Sequence, residues 1–290
     1  MPHPAGLTVV DLTAVTGYRV ARSRADLALA PGETFLAGGT WLFSEPQPHV
    51  TGLVDLTGMG WPEIELVPGA DGPVLRIGAT CTIARLVAWA RGDASGLPAA
   101  PTDWTALGMV PDAANALLAS FKVWRTATVG GNICQSFAAG AMIALTAALD
   151  GVAWILSPDG GERRMPAAAV PAGNGVNSLQ PGEVLRAVEV PARALRAAAR
   201  LEKIALAELG RSGSVVTGRV DRDGRAVFTV TAATLTPHVM RFDALPEAAE
   251  LADAVAAASD YYTDPLGAAD WRRAVSGVLA ERIRAHLAGA

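Results

Sequence analysis

Two stretches decide how this chain reads: FLAGGTWLF at residues 35–43 and TATVGGNI at residues 126–133. In each, an apolar run of strand character ends in a glycine pair, Gly38-Gly39 and Gly130-Gly131. Glycine lacks a Cβ, so such a pair can enter left-handed backbone, present consecutive N–H groups and let the main chain approach a phosphate closely. A single Gly-Gly after a strand is most often an ordinary turn or bulge. Two of them, flanked by the hydrogen-bonding side chains of Thr40, Thr128 and Asn132, point to a pyrophosphate held between two backbone loops, and so to a dinucleotide.

Around these loops the elements alternate. Residues 1–56 read as a small α/β unit: the VVDL stretch, a helical RSRADLALA segment, the FLAGG strand and turn, and the GLVDL strand. IELV and VLRIGA flank PGADG, a hairpin signal, and Thr82 is placed to cap a helix running through Ala90. Pro111 and Asp112 open a helix over DAANALLAS, because proline suits a first turn and an acid suits the positive dipole end. AAGAMIALTAALDG predicts a buried helix stopped by a left-handed Gly151. After the VAWIL strand, the Pro/Gly/Asn-rich PAGNGVNSLQPG at residues 171–182 predicts a linker.

From Pro181 onward, VLRAVEV, GSVVTGRV and RAVFTVTAATL predict an antiparallel sheet with hairpin connections. The last helix is predicted to bury Trp271, Val275, Val278 and Leu279 on one face and to keep Arg272, Arg273 and Arg282 outside or at its edge. The fold class is α+β, in units 1–56, 57–178 and 181–290.

Composition narrows the function classes. The 290 residues, 51% hydrophobic and 18% charged, suit a globular chain with several cores, and a formal charge of −4 gives no footing for nucleic acid. No run reaches the ~20 apolar residues of a membrane span, and MPHPAGL has no signal-peptide pattern, so a cytoplasmic location is expected. Cys81 and Cys134 follow no metal-ligand spacing, and His3, His49, His238 and His286 are scattered. Neither a GxGxxG fingerprint nor a Walker loop occurs, and Ser212 lacks the spacing of a nucleophile elbow.

With FLAGGT at 35–40, GLVDLTGM at 52–59, IGATCTIARL at 77–86, ATVGGNIC at 127–134, PGEVLRAVEVP at 181–191 and ADWRRAVSGVLAERI at 269–283, the chain resembles the FAD-binding subunit of the molybdenum hydroxylases, the family of the carbon monoxide dehydrogenase flavoprotein and the flavin domain of xanthine dehydrogenase. The resemblance implies a two-subdomain FAD-binding fold of the PCMH type followed by a C-terminal antiparallel sheet with helices. Leu36, Ala37, Gly38, Gly39, Thr40 and Trp41 would form the first cofactor loop, and Thr128, Gly130, Gly131 and Asn132 the second. Leu185 and Lys203 match positions that approach the flavin from the C-terminal side.

No residue is implied as acid, base, nucleophile or metal ligand, because the flavin carries the redox chemistry and the protein supplies position and electrostatics. The implied partners are a large molybdopterin-binding subunit and a small subunit with [2Fe–2S] clusters, in a dimer of heterotrimers. The molybdenum cofactor and the clusters belong to those chains, and FAD hands the electrons to an acceptor. The chain departs from the family where a Pro and an Asp commonly follow the second loop, here Ala138 and Ala141. A carboxylate contact worth about 1.5–3 kcal/mol is thereby missing. Trp41 replaces an acidic residue after AGGT, to pack on the cofactor or to fill the core. The alternatives are a stand-alone FAD-dependent oxidase or reductase and a flavin-free assembly protein.

Overall fold

Residues 12–116, 121–207 and 210–289 are described by the structure, a computed structural model. Most of VVDL and the end of DAANALLAS lie outside them. Gly17–Val20 (β1), Glu33–Leu36 (β2) and Gly52–Asp55 (β3) form a parallel sheet in the order β1-β3-β2. The first glycine loop follows the carboxyl end of β2, the end of a parallel sheet at which α/β folds bind ligands.

Ile64–Val67 (β4) and Val74–Gly78 (β5) pair antiparallel across the PGADG turn, as its Pro, Asp and Gly predict. Ile83–Ala90 (α1) begins at Thr82, whose side chain accepts the Arg85 N–H. Met109–Ala116 (α2) starts two residues before Pro111, which sits in the first turn where its missing N–H is harmless. Phe121–Trp124 (α3) leads into the second glycine loop, which becomes the first turn of Val129–Gln135 (α4).

Ala141–Ala148 (α5) is buried on every side. One side meets Ile155, Leu185 and Val188 of the middle sheet, and Ala144 meets Val215 and Ala232 of the last sheet. A helix between two sheets has no solvent face, hence its lack of polar periodicity. The left-handed stop is Asp150 (φ 51°) rather than Gly151, whose N–H bonds to the Thr146 carbonyl at 2.7 Å. The Asp150 side chain explains why a non-glycine residue holds that conformation. Its carboxylate accepts from Arg193 at 2.9 Å, from Arg241 at 2.7 Å and from buried Arg219.

Val152–Leu156 (β6), Glu162–Pro166 (β7) and Val184–Val190 (β10) complete a five-stranded antiparallel sheet in the order β4-β5-β10-β6-β7; Pro171–Gly173 (β8) and Val176–Asn177 (β9) form a separate small hairpin. Two expectations are corrected here. PAGNGVNSLQPG is no linker: Gly175 N–H donates to the Ser136 carbonyl at 2.9 Å and the Asn177 amide to the Cys134 carbonyl at 2.8 Å, fixing the hairpin beside α4. VLRAVEV does not open the last sheet; it is the central strand of the middle one, with Val188 opposite Ile77 on one side and Ala153 on the other. Strand character is visible in a sequence, but the choice of partner depends on which edges the fold leaves open.

Past Ala192–Leu195 (α6), the strands Ala198–Ala205 (β11), Ser212–Val220 (β12), Ala226–Thr231 (β13) and His238–Phe242 (β14) form a four-stranded antiparallel sheet in sequence order. Ala248–Ala256 (α7) and Ala269–Ala288 (α8) cover it. On α8 the buried stripe is Arg272, Ser276, Leu279, Ala280, Ile283 and Leu287, while Val278 is exposed, so the expected face is rotated. Arg272 is inside because its guanidinium donates to the carbonyls of Gly213 and Ala232, both at 2.6 Å, which apolar periodicity does not reveal.

Asp150 thus joins the middle unit, through Arg193, to the last sheet, through Arg219 and Arg241. Asp150→Asn keeps a residue tolerant of left-handed backbone and removes the charge. It is expected to lower the unfolding free energy by about 1–2 kcal/mol in urea titration: three arginines lose a charged acceptor, while buried Arg219 keeps Asp221 at 2.8 Å. A transition at the wild-type midpoint would contradict this account.

Candidate functional site

The two glycine loops touch backbone to backbone. A Cβ on Gly38 would overlap the Thr126 carbonyl and come within 3.2 Å of Ala127 Cα. Gly39 (φ 67°) turns the first loop into the left-handed region. The second loop is clamped from behind: Val129 N–H donates to Cys81 O at 2.8 Å, Gly130 N–H to Ala79 O at 2.9 Å, and Ile83 N–H to Ala127 O at 2.9 Å. Ala79 packs so closely that a Cβ on Gly130 would lie 2.8 Å from its Cα.

The loops therefore play unequal parts. In the second, the N–H groups of Val129 and Gly130 are taken by carbonyls and that of Gly131 by the Thr128 hydroxyl at 3.0 Å. In the first, the N–H groups of Gly38, Gly39 and Thr40 have no hydrogen-bond partner among the described residues. A half-buried backbone turn with consecutive unpaired donors is the arrangement that accepts an anion.

These donors border a cavity of about 830 Å³, within the range of small-molecule sites. Leu36, Ala37, Gly38, Gly39, Thr40, Trp41, Thr128, Gly130, Gly131, Asn132 and Leu185, all expected from the sequence, line it. Lys203 does not: it lies on β11 opposite Val215, and its ammonium donates to the Asn115 carbonyl at 2.9 Å. Ala138 and Ala141 are also absent from the wall, being buried behind it. Trp41 is 40% exposed and packs edge-on against Phe137, ring centroids 4.6 Å apart, so it lines the cavity and fills no core.

The sequence reading missed the far wall. Asn174, Asn177, Gln180 and Glu183 come from the supposed linker and the turn after it, and Arg211 and Tyr262 from the last unit. Several of the cavity's polar groups already have structural duties. Asn132 Oδ1 accepts the Met142 N–H at 2.8 Å, capping α5 and leaving its amide N–H groups to donate elsewhere. Asn174 Oδ1 accepts the Ala138 N–H at 3.0 Å.

Glu183 is gripped by Arg163 through two bonds of 2.7 Å and by the Gln180 N–H at 2.8 Å. The Arg163 guanidinium holds its carboxyl down at about 2 against the opposing effect of burial. Burial pushes the thiols of Cys81 and Cys134 up to about 12, so both stay protonated near neutrality. Among the described residues no group of His, Cys, Asp and Glu is arranged to hold a metal ion, and no helix is long and apolar enough to cross a membrane.

Comparison with known proteins gives two kinds of match. The profile of the FAD-binding domain in molybdopterin dehydrogenase matches residues 19–193. Among solved structures, a chain of quinoline 2-oxidoreductase from Pseudomonas putida 86 superposes with TM-score 0.74 at 21% identity, covering 94% of this chain and 96% of that one. A chain of carbon monoxide dehydrogenase from Hydrogenophaga pseudoflava gives 0.72 at 21%, covering 92% and 95%. One of reconstituted CO dehydrogenase from Oligotropha carboxidovorans gives 0.74 at 20%, covering 92% and 97%. At these identities the superpositions establish the fold, which extends through the last unit beyond the profile match. No curated protein sequence matches the chain.

The low carboxyl of Glu183 sets a pH dependence. Its stabilisation is full above the ordinary carboxyl value near 4.5 and is lost as pH falls through about 2. Glu183→Gln is expected to lower stability by about 2 kcal/mol near neutrality, the scale of a buried charged hydrogen bond. Melting curves of the two proteins should converge as pH approaches 2. A gap that stays constant with pH would refute the charge pairing.

Proposed function

Because the chain belongs to the family of FAD-binding domains of molybdopterin dehydrogenases, we propose that its cavity holds FAD and that it is the electron-transfer subunit of a heteromeric molybdenum hydroxylase. The observation that carries this reading is that Gly38, Gly39 and Thr40, whose N–H groups have no partner among the described residues, all line the cavity. A pyrophosphate needs several donors in one place, and among the described lining residues Arg211 is the only cation. Backbone N–H groups are the remaining source of positive potential for it.

Bound FAD supplies the redox chemistry. The chain's own residues bind and orient it. The first loop would donate to the pyrophosphate, and the bare Gly131 Cα with the amide N–H groups of Asn132 would line the cavity beside it. Leu36, Trp41 and Leu185 exclude water from the apolar parts of the cofactor. We assign no acid, base or nucleophile. Electrons would enter from [2Fe–2S] clusters of a small partner subunit, and a large molybdopterin-binding subunit would oxidise the substrate. The complex would be a cytoplasmic dimer of heterotrimers. We divide the chain into a first unit through residue 56, a second through residue 197 and a third from Ala198, since β10 belongs with the middle sheet.

Absorption of the purified chain, followed by heat release and chromatography of any chromophore, tests the reading. FAD in near-stoichiometric amount is expected, and a colourless chain that takes up no added FAD would overturn it. Pull-down with iron–sulfur and molybdenum chains separates a relay subunit from a stand-alone flavoenzyme. The wall offers a sharper probe. A Cβ on Gly131 would lie 2.8 Å from the Thr128 hydroxyl and near nothing else within 4 Å, so Gly131→Val should fold with a small shift of that side chain, yet lose FAD affinity at least tenfold by narrowing the approach to the loop. Unchanged flavin content in the folded variant would remove the second loop from the site.

A further inference from the structure

Among the described residues lining the cavity, only Glu183 and Arg211 carry charge, and Glu183 is already neutralised by Arg163. Arg211 stands just before β12, and its guanidinium is paired with Asp264. Asp264 also binds Arg272, which is completely buried and spends its other donors on the carbonyls of Gly213, Ala232 and Gly267. Tyr262, also in the cavity wall, has its ring 4.2 Å from the Arg272 guanidinium. Burial works to raise the Asp264 carboxyl, but the Leu266 N–H and the two arginines outweigh it and leave it below the usual range. Two guanidiniums on one carboxylate leave a net charge of +1 on this wall. Arg272 anchors it, Asp264 bridges, and Arg211 presents it to the cavity.

We propose that Arg211 sets the reduction potential of the FAD held in this cavity. The inference rests on the FAD reading above. On taking up two electrons from iron–sulfur clusters of a partner and one proton from solvent, a bound isoalloxazine would pass from neutral to a reduced ring with one negative charge. A fixed cation favours the reduced form over the oxidised one. In that reading the pyrophosphate would take its donors from the first loop, a different unit of the chain, and adenine gains no charge in the reaction. The isoalloxazine is therefore the part of FAD for which a cation on the last unit's wall makes a difference between redox states.

The test uses the intact FAD-loaded chain and its Arg211→Gln, Arg211→Met and Arg211→Lys variants. The Arg211 side chain is 44% exposed and Asp264 keeps Arg272, so removing the charge leaves no buried ion unpaired. Spectroelectrochemical titration gives the midpoint potential, and equilibrium titration with oxidised FAD gives its Kd. In R211Q and R211M the affinity for reduced relative to oxidised flavin should fall about tenfold, a potential more negative by about 30 mV for a two-electron couple. R211K should retain most of the wild-type value, and Kd for oxidised FAD should stay within about twofold. Wild-type potential in R211Q and R211M, or equal weakening of both redox states, would overturn the proposal and assign Arg211 to general binding. A wild-type chain that takes up no FAD would fail at the earlier step and remove the FAD reading itself.

Discussion

Everything at the site depends on one approach of main chain to main chain, Gly38 against the carbonyl of Thr126 and the Cα of Ala127. No side chain separates the two loops, so their spacing is set by van der Waals contact of backbone atoms and not by an adjustable rotamer. Gly130 repeats the device one layer back, against Ala79, where Cys81 and Ala79 also accept the loop's N–H groups. The sequence joins the first loop to a parallel sheet and the second to a helix. The glycines let those two elements meet.

That contact divides the work between loops that look alike on paper. The second is consumed by its own architecture: with the Thr128 cap, its first three N–H groups are spoken for. It acts as a rigid abutment. The first has donors to spare and meets a cavity whose walls are mostly neutral. In such surroundings backbone dipoles count for more than they do in water, and a single arginine stands out.

Rigidity comes from the layer behind. α5 is buried between two sheets and starts at the Asn132 side chain that caps it, so the second loop is bonded directly to the core helix. At its far end Asp150 gathers arginines from α6, β12 and β14. One helix thus carries a cofactor loop at its head and a junction between units at its tail.

Sequence alone determined what depends on local chemistry. The first glycine pair after its strand, the Thr82 cap, the PGADG turn and the apolar α5 are each written in a few adjacent residues, and the structure has them where they were expected; the second pair, read as a turn closing a strand, instead opens helix α4, because the Thr128 side chain caps it. Tertiary structure decided whatever depends on partners distant in the chain. The pairing of VLRAVEV with β5 and β6, the docking of PAGNGVNSLQPG onto the cavity, the burial of Arg272 and the choice of Arg211 over Lys203 as wall cation all fall in this class. A strand's hydrophobicity says that it will be buried but not beside which neighbour. A polar segment reads the same in solvent or against a cavity, and an arginine reads as surface until three carbonyls and a carboxylate converge on it.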